Sequence, residues 1–209
     1  MQILLVAATE MEIAPYLLKK PAADFLVTGL GTAEAVYHIT KRLQQIDYDL
    51  VIQAGIAGSF TESIALGEVV LVERDRFADL GMEEQNNFFT IFEKGFANPN
   101  VFPFASGWLS NDASLINSLG FKKLTGLTVN KVTDNKAHIA QLVAKFKPDV
   151  ESMEGAALHY VCLQEKVAFL QLRSISNFVG ERDRSKWKMQ EALSNLNNAL
   201  ISIIEKLTG

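Results

Sequence analysis

The chain has a single cysteine, Cys162, among its 209 residues. One cysteine cannot build an internal disulfide framework, and a lone thiol suits a reducing compartment. Histidine is nearly as scarce. His38, His138 and His159 are scattered, with no cysteine at metal-ligand spacing, which argues against a zinc site. Basic residues are in the minority, 20 Lys and Arg against 24 Asp and Glu, for a net charge of −4. Nucleic acid is therefore not an expected partner, because its phosphates call for a dense cationic face. Long apolar runs are missing too. The opening Met1–Ala8 stretch lacks a basic leader and is interrupted at Glu10 and Glu12. It is too short for a signal or membrane segment and reads as a buried first strand of a cytoplasmic protein. Repeats, low-complexity tracts and linkers are also lacking.

What the chain does contain is apolar residue in short, evenly spread runs. Hydrophobic residues make up 48%, and the mean hydropathy is +0.11. The length suits one α/β domain spanning residues 1–209 with a well-buried core. Ile3–Ala8, Phe25–Thr28, Leu50–Ala54, Val69–Val72, Leu124–Val129 and Val167–Leu172 read as strands buried on both faces. Helical spacing lies between many of them. Thr32 is placed to cap a helix carrying Ala33, Val36, Ile39 and Leu43. A second helix is expected over Gly155–Glu165. In the last, Met189, Leu193, Leu196, Leu200, Ile203 and Leu207 recur with helical period. Alternating strands and helices imply a layered α/β domain with a central mixed, mostly parallel sheet flanked by helices. Asn86–Trp108 is the least regular stretch and reads as a long functional or interface loop.

Several polar positions admit two readings on their own. Glu10 and Glu12 follow the first strand, where ligands bind in open α/β sheets, yet acids also favour any first helical turn. Gly29-Leu30-Gly31-Thr32 looks like half a dinucleotide fingerprint, but Glu34 stands where the third glycine belongs, so a tight strand-to-helix turn is the better reading. Gly55-Ile56-Ala57-Gly58-Ser59 is either a plain turn or backbone bared for close approach to a ligand. Glu154 fits a helix N-terminal acid, Met153 core filling and Asn177 a strand-end cap. Arg182-Asp183-Arg184-Ser185-Lys186-Trp187-Lys188 is a polar cluster that could equally be a solvated loop.

Read together, Val150-Glu151-Ser152-Met153-Glu154-Gly155-Ala156-Ala157, Arg173-Ser174-Ile175-Ser176-Asn177, Ala8-Thr9-Glu10-Met11-Glu12 and Gly55-Ile56-Ala57-Gly58 resemble the purine nucleoside phosphorylase / methylthioadenosine nucleosidase superfamily. The resemblance runs from Ile3 to the last helix. It implies that Glu12 activates water, that Met153 and Glu154 hold a ribose, that Gly58 lets backbone approach the ligand, and that Ser176 and Asn177 read a purine. A carboxylate at position 12, with no Arg or glycine-rich turn nearby, repels phosphate and favours hydrolysis over phosphorolysis. A carboxylate held at the ribose also offsets the positive charge of an oxocarbenium-like sugar. Phe77-Ala78-Asp79-Leu80-Gly81-Met82-Glu83 together with the 182–188 cluster resembles the futalosine hydrolase branch, and Arg182 or Arg184 would then meet a carboxylate on the substrate's 5′ arm. Phe88, Phe89 and Phe102 fit either an apolar 5′ pocket or core and dimer packing.

The side chain at 177 sets the base preference this resemblance implies. An amide donates and accepts, so Asn177 suits O6 and a protonated N7 of a 6-oxopurine, where a protonated Asp would suit adenine. The expected activity is N-glycosidic hydrolysis of a 6-oxopurine nucleoside, releasing hypoxanthine, with no metal or organic cofactor. By analogy the enzyme is a homodimer acting on a small-molecule purine nucleoside, with neither nucleic acid nor membrane as partner. The rival readings are an adenine-releasing nucleosidase, a phosphorylase, and a non-catalytic nucleoside-binding protein.

Overall fold

The computed structural model of the chain describes residues 1–19, 23–111 and 114–208. In chain order the elements are β1 (Ile3–Ala7), α1 (Glu10–Leu17), β2 (Asp24–Val27), α2 (Thr32–Leu43), β3 (Leu50–Ser59), β4 (Val69–Asp75), β5 (Gly81–Glu84), β6 (Asn87–Thr90), β7 (Leu109–Ser110), α3 (Ser114–Ser118), β8 (Lys123–Thr128), α4 (Lys136–Phe146), β9 (Val150–Ser152), α5 (Gly155–Glu165), β10 (Ala168–Phe178) and α6 (Met189–Thr208). The sheet is mixed. β1 pairs in parallel with β2 and β3, β3 with β10, and β8 with both β4 and β9. The antiparallel pairs are β10 with β4, β3 with β9, and β4 with β7. These pairings close β3, β9, β8, β4 and β10 on themselves, and β1 and β2 continue outward from β3.

Helices cover the sheet on both sides. One core is built from β1, β3 and β10 against α1 and α6, through Ile13, Tyr16, Leu196, Leu200 and Ile203. Another joins Leu4, Val6 and Val51 to α2 and α5, through Ala35, Ile39, Leu158 and Val161. The α6 stripe fits its sequence period, since Leu193, Leu196, Leu200 and Ile203 all face inward. Each fully buried Leu or Ile contributes on the order of 1.5–3 kcal/mol.

Three sequence expectations need correcting. β2 is an edge strand with Phe25 and Val27 exposed, so it is not buried on both faces. Thr32 is the first residue of α2 rather than its cap, with Gly31 in the capping position. The amide oxygen of Asn130 accepts from both the backbone N–H and the hydroxyl of Thr32, at 3.2 and 2.7 Å. Finally, β3 and β10 run well past their apolar cores. Gly55–Ser59 and Arg173–Phe178 continue as strand because the two segments pair with each other along their length, with a bulge between Ile175 and Asn177. Backbone pairing there overrides the polar side chains, and it brings the ends of both strands over one cavity.

Candidate active site

All eight residues singled out from sequence (Glu12, Gly58, Met153, Glu154, Ser176, Asn177, Arg182 and Arg184) line a single cavity of about 420 Å³. It opens beyond the carboxyl ends of β1, β3, β9 and β10, where open α/β sheets bind ligands. Glu12 sits in the first turn of α1. Its Oε2 accepts from the backbone N–H and the hydroxyl of Thr9 at 3.0 and 3.1 Å, and its Oε1 accepts from the Ile56 N–H at 3.2 Å. Three donors therefore fix a buried carboxylate in one orientation.

Glu154 comes from the turn between β9 and α5. Its Oε1 accepts the Gly31 N–H at 2.8 Å. Gly31 has φ of 88°, a conformation that favours glycine, and the turn it makes aims that N–H at the carboxylate. The Gly29–Thr32 segment is thus a strand-to-helix turn, and it also holds a wall of the site. Burial pushes the Glu154 carboxyl upward. The Arg173 charge and the Gly31 N–H pull it back, and the Glu12 charge adds to the rise.

Arg173, in the middle of β10, was assigned no role from sequence. It is only 1% exposed and donates to Gln53 Oε1 at 2.5 Å. Gly55 lies against it. A Cβ at position 55 would collide with the Arg173 guanidinium and stand 2.8 Å from Glu12 Oε1. The cation therefore lies beside Glu12, which corrects the expectation that no Arg stands near position 12: strand pairing brings in one that is remote in sequence. Its charge also reaches Glu154 and the fully buried Asp75. Burial pushes Asp75 up to about 6, against hydrogen bonds from Gln171, Thr128 and the Arg76 N–H. The available signal was a lone arginine inside an apolar strand, since a buried charge requires partners.

At the opposite wall, Asn177 Oδ1 accepts from the Ser176 hydroxyl at 2.8 Å, and its Nδ2 donates to Phe178 O at 2.9 Å. One amide hydrogen and one lone pair on the oxygen stay free for a ligand. A side chain at Gly58 would press on Val179 at 3.1 Å and on Asn177 Nδ2 at 3.4 Å, so glycine keeps the floor clear. In the 182–188 cluster, Arg182 and Arg184 line the cavity, whereas Lys186 is tied to Glu181 at 2.7 Å. Phe88, Phe89 and Phe102 lie elsewhere. The first two flank Lys145 of α4, and Phe102 lines a separate hollow with Val36, Phe77 and Tyr160. Among the described residues no cluster of His, Cys, Asp and Glu could hold a metal ion, and no helix is long and apolar enough to cross a membrane.

The family model described as Phosphorylase superfamily matches residues 25–205. The chain is 30% identical to futalosine hydrolase of Thermus thermophilus, covering 99% of this chain and 96% of that protein. It is 33% identical to futalosine hydrolase of Streptomyces coelicolor, over 85% of this chain and 76% of the relative. The solved structure of futalosine hydrolase of Helicobacter pylori superposes with a TM-score of 0.82 at 18% identity, covering 98% of this chain and 97% of that one.

Proposed function

The chain belongs to the phosphorylase superfamily, and from that membership we propose that it hydrolyses the N-glycosidic bond of a 6-oxopurine nucleoside. Futalosine is the substrate of this reading, cleaved to hypoxanthine and dehypoxanthine futalosine in menaquinone biosynthesis. The observation that carries it is the gathering of two oriented carboxylates, Glu12 and Glu154, and the amide of Asn177 around one cavity.

In this reading Glu12 takes a proton from water as the water oxygen bonds to C1′. The C1′–N9 bond breaks, and its electron pair goes to the purine, which takes a proton from solvent at N7 while Glu12 later returns the proton it took to solvent. The Glu154 oxygen not engaged by Gly31 accepts the ribose hydroxyls and offsets the charge developing on the sugar. Met153 packs on the ribose face. Asn177 accepts from N7–H and donates to O6. A carboxylate at position 12 discourages phosphate at the place where a nucleophile must stand. Arg182 or Arg184 meets an acidic 5′ arm. The working enzyme of this reading is a cytoplasmic homodimer. Exposed Val101 and Phe102 beside the apolar hollow of Phe77 and Tyr160 support an interface between copies.

The rival reading is an adenine-releasing nucleosidase, and Asn177 speaks against it, because with its oxygen taken by N7–H its NH2 meets O6 of a 6-oxopurine but opposes the 6-amino group of adenine, which needs an acceptor. Base release from futalosine, inosine and methylthioadenosine, each with and without phosphate, tests the assignment. Phosphate-independent hypoxanthine release from futalosine is expected. Phosphate-dependent cleavage of inosine would make the enzyme a phosphorylase, and adenine release from methylthioadenosine would overturn the base assignment. Glu12→Gln should bind nucleoside but turn over roughly a hundredfold or more slower. Unchanged turnover would remove Glu12 from the mechanism.

A further inference from the structure

Thr128, the last residue of β8, is fully buried and has no task in the mechanism above. Its hydroxyl accepts the Ala156 N–H at 2.7 Å and donates to Asp75 Oδ1 at 3.0 Å. Asp75 ends β4 and is equally buried. Its Oδ1 also accepts the Arg76 N–H at 2.7 Å, and its Oδ2 accepts from Gln171 Nε2 at 3.1 Å. A hydroxyl carries one hydrogen. With that hydrogen committed to Asp75, the Thr128 oxygen is left to face Ala156 as an acceptor.

Ala156 is the second residue of α5. The first N–H groups of a helix have no partner inside it, and Ala156 is wholly buried. The side chain of the residue before the helix ordinarily accepts such an N–H. That residue is Glu154, and its side chain caps none of them. Its carboxylate lines the cavity and takes the Gly31 N–H instead. The missing cap comes from Thr128, 28 positions away on another element. The Gly155 N–H goes to the Ser152 hydroxyl at 3.3 Å, and the Ala157 N–H to Glu154 O at 3.1 Å. A close approach makes this possible. A Cβ at position 155 would collide with Asp75 Oδ2 and Gln171 Nε2, so glycine lets the start of the helix sit on this polar group.

Resting on the reading of Glu154 as the carboxylate that holds the ribose, we propose that Thr128 is a positioning residue for Glu154, its hydroxyl oriented by Asp75 and capping α5 in the acid's place. The Glu154 carboxylate is thereby left free for the sugar. Without the hydroxyl, the unmet Ala156 N–H and the positive end of the helix dipole draw that carboxylate back onto α5. The base lies against Asn177 at the opposite wall and is untouched by this change.

The test separates ribose from base. Thr128→Val keeps the shape and removes the hydroxyl, whereas Thr128→Ser keeps the hydroxyl. For each, kcat/KM is measured with the nucleoside that the unaltered enzyme cleaves, and inhibition with the free base released from it. Thr128→Val should lower kcat/KM about tenfold or more and leave inhibition by the base unchanged, while Thr128→Ser stays within about threefold of the unaltered enzyme. Equal losses for nucleoside and base, or a tenfold loss in Thr128→Ser, would overturn the assignment. Thr128→Ala gives the same comparison should the valine variant not fold. In Glu154→Gln, adding Thr128→Val should weaken nucleoside binding no further, and a second full loss would show that the two positions act independently. Adenine release with the Thr128 pattern intact would remove the 6-oxopurine reading and leave this one standing. Hypoxanthine release with no effect of Thr128→Val would remove only the Thr128 assignment. Full turnover in Glu154→Gln would remove the ribose role of Glu154 and this inference with it.

Discussion

Burial pushes the Glu151 carboxyl from 4.5 up to about 7, which makes stability depend on pH in a definite direction. Between those values the unfolded chain has released this proton and the folded chain still holds it. Stability from this group is thus fully present below about 4.5 and is lost as pH rises through about 7. Glutamine at 151 does not ionise. Glu151→Gln should therefore melt several degrees higher than the unaltered protein at pH 8 and at nearly the same temperature at pH 4.5, a difference on the order of 3 kcal/mol. Calorimetric or circular-dichroism melts at the two pH values check it. A substitution effect of equal size at both would refute this electrostatic account. In the proposed reading, Asn177→Asp should move preference from futalosine toward its 6-amino analogue by about tenfold or more. A constant cleavage ratio would show that position 177 does not read the base.

Glu12 depends on an element far away in sequence. Asn197 of α6 is buried, and its side-chain amide engages α1 twice. Its Nδ2 donates to Glu12 O at 2.9 Å and its Oδ1 accepts from the Tyr16 N–H at 3.0 Å. A further bond from Nδ2 to Leu193 O anchors the amide to its own helix. The joint fixes the turn carrying the Glu12 carboxylate against the last helix. Asn197→Ala would leave two buried backbone groups on α1 without this partner, a cost of about 2–4 kcal/mol, with a drop in turnover as Glu12 loosens. Denaturant unfolding and kcat measured on the same sample test both effects. Full stability in Asn197→Ala would mean that α1 is held by packing alone.

For the molecule as a whole, two adjoining apolar hollows share Val36, Phe77 and Leu80 as lining. Tyr37 of α2, Leu80, Val101 and Phe102 are exposed. Sedimentation at micromolar concentration should give twice the 23.1 kDa chain mass, and Phe102→Glu should shift the protein toward monomer and reduce futalosine cleavage. An unaltered protein that sediments as a fully active monomer would discard the homodimer.

The mixed α/β class, the apolar centres of six strands and the α5 and α6 helices were legible in the chain, because burial of a strand or helix face imposes a period on its own residues. The candidate site was legible in part, through motifs whose residue types match the chemistry of a nucleoside. Arg173, Gly31 and Glu151 were not. Each acts through a partner 93 to 123 positions away, by contact or by strand register: Gly31 with Glu154, Arg173 with Gln53, Glu151 beside Gly58. Local periodicity carries no information about such distances. The lengths of β3 and β10 were hidden for the same reason, since backbone pairing between remote segments extends both strands through residues that, taken alone, read as turn. Sequence by itself determined which residues had to be buried and which side chains were capable of the chemistry. The closure of the sheet decided which of them face one another, because strand pairing is a long-range choice made by the whole fold.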